Sequence, residues 1–448
     1  MASSSVPSLS NGARARFSYS DNYQGLPVSL SLPREEPTNN ARPYLEGLLP
    51  DNWSVRVQWG RDFHVNPRNP FKLLAHTGND APGAIQLVPT GTTLDMGPGA
   101  AMPLNEVSLS TLIHQVAGDE GYWSPPLAGP HGRFSLAGAQ RKTALYQIGA
   151  GQWALPYGRF PSTHIIKPEI GRAFPLSDVN EAVCLRAMNA LGISAAQVTV
   201  TEFGQVRASV IERYDRIRTS QGVDRVHQED MCQILAVMPE KKYAVDGGPG
   251  VTAILDILTS HATPECPYRF IEQLTFNVAI LGTDAHAKNF SVLHYRDGRT
   301  ELAPAYDVAS WAPYDAPLGQ SRGGARLAMP IGGSNKFHEI NERRWVKVAQ
   351  IAGLHEDRVI ELTRRVLHHS PDALADAIRA FSQYTTGTAL EQIPLAAEKQ
   401  RQLTCGHHRT TIMGSFAPRN EVPHQQNDGA PHREGPPPGN KSRRGSSR

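Results

Sequence analysis

Nothing in the 448 residues approaches a run of ~18 consecutive apolar side chains, so the sequence offers no membrane-spanning helix. Cysteine is scarce: Cys184, Cys232, Cys266 and Cys405 are the full complement, and none sits in a C-x-x-C pair. That excludes a disulfide-dense scaffold, argues against a zinc site and suits the reduced thiols of a cytoplasmic protein. Residues 1–13 lack a basic segment followed by a long apolar one, so they are no secretory signal and read as a disordered lead. Both glycine-rich phosphate fingerprints, G-x-x-x-x-G-K-[ST] and G-x-G-x-x-G, are missing at the one loop where phosphate chemistry is suspected. The formal charge is only +3, too small to indicate nucleic acid by itself. It is also unevenly placed. From Arg401 to Arg448 eight Lys/Arg face three acids, which leaves −2 for residues 1–400. The Gly/Pro/Ser-rich end of that tail cannot repay its ordering entropy by burial, so 404–448 reads as a disordered basic extension.

What is present is a foldable body. The chain is 40% hydrophobic and 19% charged, enough for a real core and for two or three domains. Thr143–Ile148 and Gln152–Leu155 flank Gly149-Ala-Gly151 as a hairpin, Thr163–Lys167 is a β-branched strand, and Gln197–Phe203 with Val206–Arg213 form a second hairpin. Asp178–Leu191 reads as a helix opened by a capping box of Asp178 and Glu181. Beyond residue 225 the periodicity turns helical, at Phe270–Leu281, Glu342–Ile351, Glu356–His368, Asp372–Tyr384 and Leu390–Gln402. Strands first and helices later predict an α+β fold in two lobes.

Three features carry chemistry. In Asp284-Ala-His-Ala-Lys-Asn289 an Asp and an Asn stand five positions apart, the spacing with which a kinase catalytic loop presents a base and a magnesium ligand. Asp307 follows, a carboxylate where kinase-like folds hold their metal, although a turn-forming Asp is common. Upstream, Lys167 ends a strand behind the small-residue loop Ser135-Leu-Ala-Gly-Ala-Gln-Arg-Lys142, which offers backbone N–H groups to phosphate. A lysine at a strand end can equally be a snorkelling surface residue. Each feature alone is weak. Their order (loop, lysine, acidic helix, hairpin, D-x-x-x-x-N, aspartate) is that of a protein-kinase-like active site.

Phe134–Leu145, Thr163–Lys167, Glu212-Arg-Tyr-Asp215, Gln228–Gln233, Asp246-Gly-Gly-Pro-Gly250, Thr283–Phe290 and Tyr306-Asp307 together resemble the HipA family of serine/threonine kinase toxins. Pro27–Pro33, Leu48-Leu-Pro-Asp-Asn52 and Gly83-Ala84 resemble its first subdomain, so the likeness spans roughly 15–400. The resemblance implies a β-rich N-terminal lobe and an all-helical C-terminal lobe, divided as 14–130 (N-terminal subdomain), 131–225 (nucleotide-binding part) and 226–403 (helical lobe). It implies an ATP- and Mg2+-dependent protein kinase that is the toxin of a toxin–antitoxin pair. Asp284 would be the base, with Lys167, His286 and Lys288 beside it, and Asn289 and Asp307 would hold Mg2+. ATP would meet Ala137, Gly138, Ala139, Gln140, Lys142, Lys167, Tyr306 and the hinge Glu212, Arg213 and Tyr214, together with His286, Lys288, Asn289 and Asp307. Glu181 would pair with Lys167. Ser135 matches the autophosphorylated serine, whose phosphate expels the loop and switches the kinase off.

Implied partners are a HipB-like helix-turn-helix antitoxin, DNA through that antitoxin, and a protein substrate with aminoacyl-tRNA synthetases as the family precedent, glutamyl-tRNA synthetase in its best-known member. No membrane partner is implied. The sequence departs from the family pattern in three places. Residues 1–13 lack the expected first strand, Arg141 stands where an acid is common, and the basic tail has no counterpart. Two alternatives remain: a kinase-fold enzyme acting on a small molecule or lipid, and a catalytically silent antitoxin- or DNA-associated binding protein.

Overall fold

The computed structural model describes residues 15–21, 23–88, 99–118, 134–314 and 324–405. The expected disordered lead and missing first strand, and nearly all of the expected basic tail, fall outside these. The N-terminal segment is more helical than its sequence suggests. Helices α1 (Arg42–Gly47), α2 (Trp53–Asp62) and α3 (Pro70–Thr77) are short, and Asn52 and Asn69 cap the last two through their side chains. Tyr44, Trp59, Leu73 and Leu74 of these helices and Leu48 and Leu49 just after α1 form one buried cluster with Phe134, Leu136 and Ala144. The start of the phosphate-loop segment is thereby part of the N-terminal core. Isolated helices of this length are marginal in water, so this packing is what holds them.

Next come β1 (Ala100–Leu104), α4 (Glu106–Gly118), β2 (Thr143–Gly149), β3 (Gln152–Tyr157), β4 (His164–Pro168), α5 (Ser177–Ala190), β5 (Val198–Phe203) and β6 (Val206–Glu212). The six strands make one antiparallel sheet in the order β1-β3-β2-β4-β6-β5. Helix α4 lays Leu109, Leu112, Ile113 and Val116 on one face, against Leu145, Trp153, Leu155, Ile166 and Val210. The two-residue period of a strand then decides where the lysine goes. Ile166 points under α4, so its neighbour Lys167 must point to the opposite face. A one-residue slip would bury the ammonium among leucines and expose Ile166, reversing a burial preference of ~1.5–3 kcal/mol for the isoleucine alone.

After the hairpin β7 (Arg216–Thr219) and β8 (Gly222–Arg225), strand β9 (His227–Asp230) leads into α6 (Met231–Ile234), α7 (Val251–His261) and α8 (Cys266–Ala279). Strands β10 (Ser291–His294) and β11 (Thr300–Leu302) join β9 in a three-stranded sheet, and β12 (Arg326–Ile331) pairs with β13 (Ser334–Lys336). The remaining helices are α9 (Glu342–Ala352), α10 (Glu356–Ala380), α11 (Ser382–Thr385) and α12 (Gln392–Cys405). The C-terminal lobe is thus helical, with these two small sheets added. Its core gathers Phe270, Ile271, Leu274, Trp345 and Val359. A second cluster, with Val183, Met188, Phe276, Leu367, Leu374 and Ile393, welds α5 of the first lobe to α8, α10 and α12.

Two local expectations change. Glu356–His368 and most of Asp372–Tyr384 are one helix through Pro371, with Tyr384 in the short α11 that follows. Losing the proline's hydrogen bond costs ~3 kcal/mol, but Val366, Leu367, Leu374 and Ala377 keep a single buried stripe across it. The capping box on α5 does not form. The helix starts after Leu176 in a left-handed conformation, with no side-chain cap. Asp178 instead accepts from Arg207 through both oxygens, at 2.7 and 3.0 Å, and Glu181 is spent elsewhere.

Candidate active site

Lys167 is the centre of the site. Its Nζ donates to Glu181 Oε1 at 2.7 Å and also bonds Asp307 Oδ1. Lys167 and Glu181 are both about 96% shielded from solvent, and Asp307 is partly exposed. Burial pulls the ammonium's pKa down, but the charges of Asp307 and Glu181 outweigh it and raise it, so Lys167 stays charged. Burial likewise opposes ionisation of Asp307, and Lys167 with Lys142 overcomes it and holds the carboxyl well below its ordinary range. Burial also pushes Glu181 upward. The expected Lys167–Glu181 pair therefore exists, made by a strand and a helix fourteen residues apart in sequence.

Asp307 reaches this point by a strained backbone. Its φ is +53°, which only Gly and, less readily, Asn or Asp adopt without large cost. The segment before it is pinned on both sides. Ala305 exchanges hydrogen bonds with Ser194 and Ala196 at 2.9 Å, and Tyr306 Oη donates to the Lys288 carbonyl at 2.7 Å. Strain that persists only because its surroundings impose it is common at functional sites.

The phosphate loop closes over the same spot. Lys142 Nζ donates to the Ala137 carbonyl at 2.7 Å. Gly138, at φ +101°, holds a backbone conformation that strains any side chain, and a Cβ there would lie 2.8 Å from Lys142 Nζ, displacing the lysine, and 4.0 Å from Asp307 Oδ2. Burial lowers the Lys142 pKa to about 8 against the pull of Asp307. Ala139 is exposed and Gln140 Nε2 reaches the Pro168 carbonyl at 3.4 Å. Arg141, which stands where an acid is common, donates to the Ala117 carbonyl at the end of α4, where a cation is favoured.

The Asp284–Asn289 segment follows α8 through Leu281, at φ +55°, and Gly282, whose missing Cβ would fall 2.4 Å from Asn277 Oδ1. Asp284 is exposed, and Asn289 Nδ2 donates to its carbonyl at 2.9 Å, so the two ends of the motif are tied together. Asn289, Tyr306 and Asp307 line one small cavity with Gln273 and Asn277. His286 is buried with its Nε2 3.6 Å from Asp284 Oδ1, and burial lowers its pKa to about 4. Its Nδ1 has no partner among the described residues.

Three expected site residues stand differently from the rest. Ser135 is wholly buried, its Oγ donating to the Leu48 carbonyl at 2.6 Å, so it is shielded in this conformation. Lys288 is buried against Asp51 at 2.5 Å. Arg213 does not face the site with its side chain. Its guanidinium bonds Asp215 at 2.8 and 3.0 Å and Ala81 at 3.1 Å, inside a buried network with Asp80 and Arg216. Only its main chain, bonded to Thr163, remains at the hinge, between exposed Glu212 and Tyr214, whose ring lies 5.8 Å from Tyr306.

Sequence reasoning assigned no role to Asp51, Asp80 or Tyr243. Asp51 lies in the Leu48–Asn52 segment, but nothing in its spacing shows what it would touch. Tyr243 donates to Asp284 Oδ1 at 2.5 Å from forty-one residues upstream.

A buried lysine–glutamate pair on a β-rich lobe, facing an aspartate–asparagine loop and a second aspartate on a helical lobe, defines the protein-kinase class of fold. The profile of the HipA-like C-terminal domain matches residues 134–374, and that of the HipA N-terminal domain matches residues 4–88. The chain belongs to the HipA family of kinases. A Sinorhizobium fredii protein named "Putative kinase Y4mE" is 36% identical over 387 residues, covering 83% of this chain and 87% of its own. The serine/threonine-protein kinase toxin HipA of Shewanella oneidensis is 27% identical over 370 residues, 79% of this chain and 81% of its own. The fold matches HipA in a solved complex of Shewanella oneidensis HipA, HipB and operator DNA, with a TM-score of 0.72 and 24% identity over 87% of this chain and 92% of that one. Among the described residues no helix is long and apolar enough to cross a membrane.

Proposed function

We propose that the protein transfers the γ-phosphoryl group of ATP to a serine or threonine of a protein, as the toxin of a toxin–antitoxin pair in the cytoplasm. The observation that carries this is the triad Lys167–Glu181–Asp307 closed over by Gly138 and Lys142. It sets cations where phosphates need neutralising and oxygen ligands where a hard cation binds.

In this reading Asp284, exposed at the edge of the site, accepts the acceptor hydroxyl's proton. The Ala137–Lys142 loop and Lys167 bind the phosphates, and the Glu212–Tyr214 main chain meets adenine. The residue types fit magnesium as well. Asn289 and Asp307, which line one cavity and carry side-chain oxygens, would hold it, and when bound it neutralises charge on the transferred phosphoryl. His286, kept neutral by burial, has a ring nitrogen with no partner among the described residues. Ser135 is the proposed autophosphorylation site. Its burial means that the loop must leave the N-terminal core before Ser135 can be modified, and a group of charge near −2 could not return to that core. The proposed partner is a small helix-turn-helix antitoxin carrying the protein to DNA, and an aminoacyl-tRNA synthetase is the first acceptor to try.

The test is labelled-phosphate transfer from MgATP to a lysate and to purified synthetases. Asp284→Ala should abolish incorporation while the protein stays folded, and undiminished incorporation would remove Asp284 as the base.

A further inference from the structure

One N-terminal side chain touches both halves of the site. The loop Leu48–Asn52, between α1 and α2, lies against the phosphate loop. The Asp51 N–H donates to the Gly138 carbonyl at 3.0 Å, and Ser135 Oγ donates to the Leu48 carbonyl at 2.6 Å. The carboxylate of the same Asp51 points the other way. Its Oδ1 accepts from Lys288 at 2.5 Å and its Oδ2 from Lys242 at 2.9 Å. Lys288 belongs to the Asp284–Asn289 loop. Lys242 accepts the Ala287 N–H at its carbonyl, 3.3 Å away, and immediately precedes Tyr243, which bonds Asp284. The loop is braced from behind by buried Arg56, whose Nε donates to the Pro50 carbonyl at 2.6 Å and whose guanidinium pairs with Glu46.

We propose that Asp51 is a positioning residue for phosphoryl transfer. Its backbone fastens the phosphate loop and its carboxylate fastens the catalytic loop, so the N-terminal subdomain sets the register between nucleotide and base. The proposal rests on the kinase reading of those two loops. Misplacement of reacting groups by ~1 Å can cost ~100-fold in rate, so a clasp spanning both loops controls turnover without touching substrate. The carboxylate is suited to the task. Burial would raise its pKa, but Lys288 and Lys242 hold it at about 2, so the clasp stays charged at any working pH.

The test is Asp51→Asn in the full-length chain. It keeps the size and the bond to Gly138 and removes the charge. Three quantities are read: thermal midpoint, amide hydrogen exchange by segment, and phosphotransfer against MgATP concentration. The expected result is faster exchange confined to residues 135–142 and 284–289. The kcat should fall about tenfold with a smaller rise in the KM for ATP, the size expected for losing one hydrogen bond to a charged group. Lys242→Met should give a weaker form of the same pattern, and carries the test if Asp51→Asn does not fold. Unchanged exchange in both segments overturns the proposal, and so does a rise spread evenly over the helical lobe, which would mark plain structural cement. If the wild-type protein transfers no phosphate the kinase reading falls, while the exchange pattern still decides whether Asp51 fastens the two loops.

Discussion

The hydroxyl of Tyr243 donates to Oδ1 of Asp284 at 2.5 Å, on the exposed carboxylate proposed to take the substrate's proton. It occupies the position of a hydroxyl acceptor. A serine or threonine must displace it or share the carboxylate with it.

Tyr243→Phe should therefore raise kcat/KM for the protein acceptor, by about two- to tenfold. A hydrogen bond to a charged group is worth ~1.5–3 kcal/mol net, a solvent-exposed one such as this less, and it must be broken on binding. Steady-state transfer to the identified acceptor checks this. A fall in kcat/KM would show instead that Tyr243 helps to hold Asp284.

Lys167→Met should abolish measurable transfer and also destabilise the fold by ~3–5 kcal/mol, because Glu181 would be left buried without its cation. Adding Glu181→Gln should recover most of the stability and none of the activity. Denaturant melts of the single and double variants, run beside the transfer assay, separate the two roles.

Lys142 carries a pH prediction. Its folded pKa, about 8, lies below the ordinary 10.5, so both states are protonated below pH 8 and only the unfolded state keeps the proton between the two values. Stability from this group therefore rises with pH across that window. ATP affinity should move the opposite way, since the charge that meets phosphate is lost. The Kd for ATP should weaken about tenfold from pH 7.5 to 9 in wild type, and much less in Lys142→Met. Nucleotide titrations at each pH decide it.

Asp215→Asn should destabilise the protein by ~3–5 kcal/mol, since Arg213 and Arg216 would lose a buried carboxylate that they hold ionised. The loss should exceed that of any exposed pair, such as Arg299 with Asp297, which contributes little. Thermal melts of Asp215→Asn and Asp297→Asn check the contrast.

The sequence by itself determined the elements that local chemistry can specify. The β-branched residues of Thr163–Lys167 set that strand, the apolar spacing set α8, and five positions between Asp284 and Asn289 were enough to suggest a shared loop. The order of these features, with the family resemblance, placed the Lys167–Glu181 pair before any coordinates. Short-range rules failed where a side chain had a distant alternative. Asp178 and Glu181 have the pattern of a cap, but a half-buried arginine on β6 and a buried lysine on β4 offer charged partners instead. Pro371 has the pattern of a stop, but a continuous apolar stripe carries α10 through it.

Beyond the Lys167–Glu181 pair, only the tertiary structure decided which charges meet. Asp307 reaches Lys167 across 140 positions, Lys288 reaches Asp51 across 237, and Arg213 leaves the hinge for Asp80 across 133. Such pairings leave no periodicity in the chain. They depend on two lobes and an N-terminal subdomain folding onto one another, and burial of those contacts makes the charges strong.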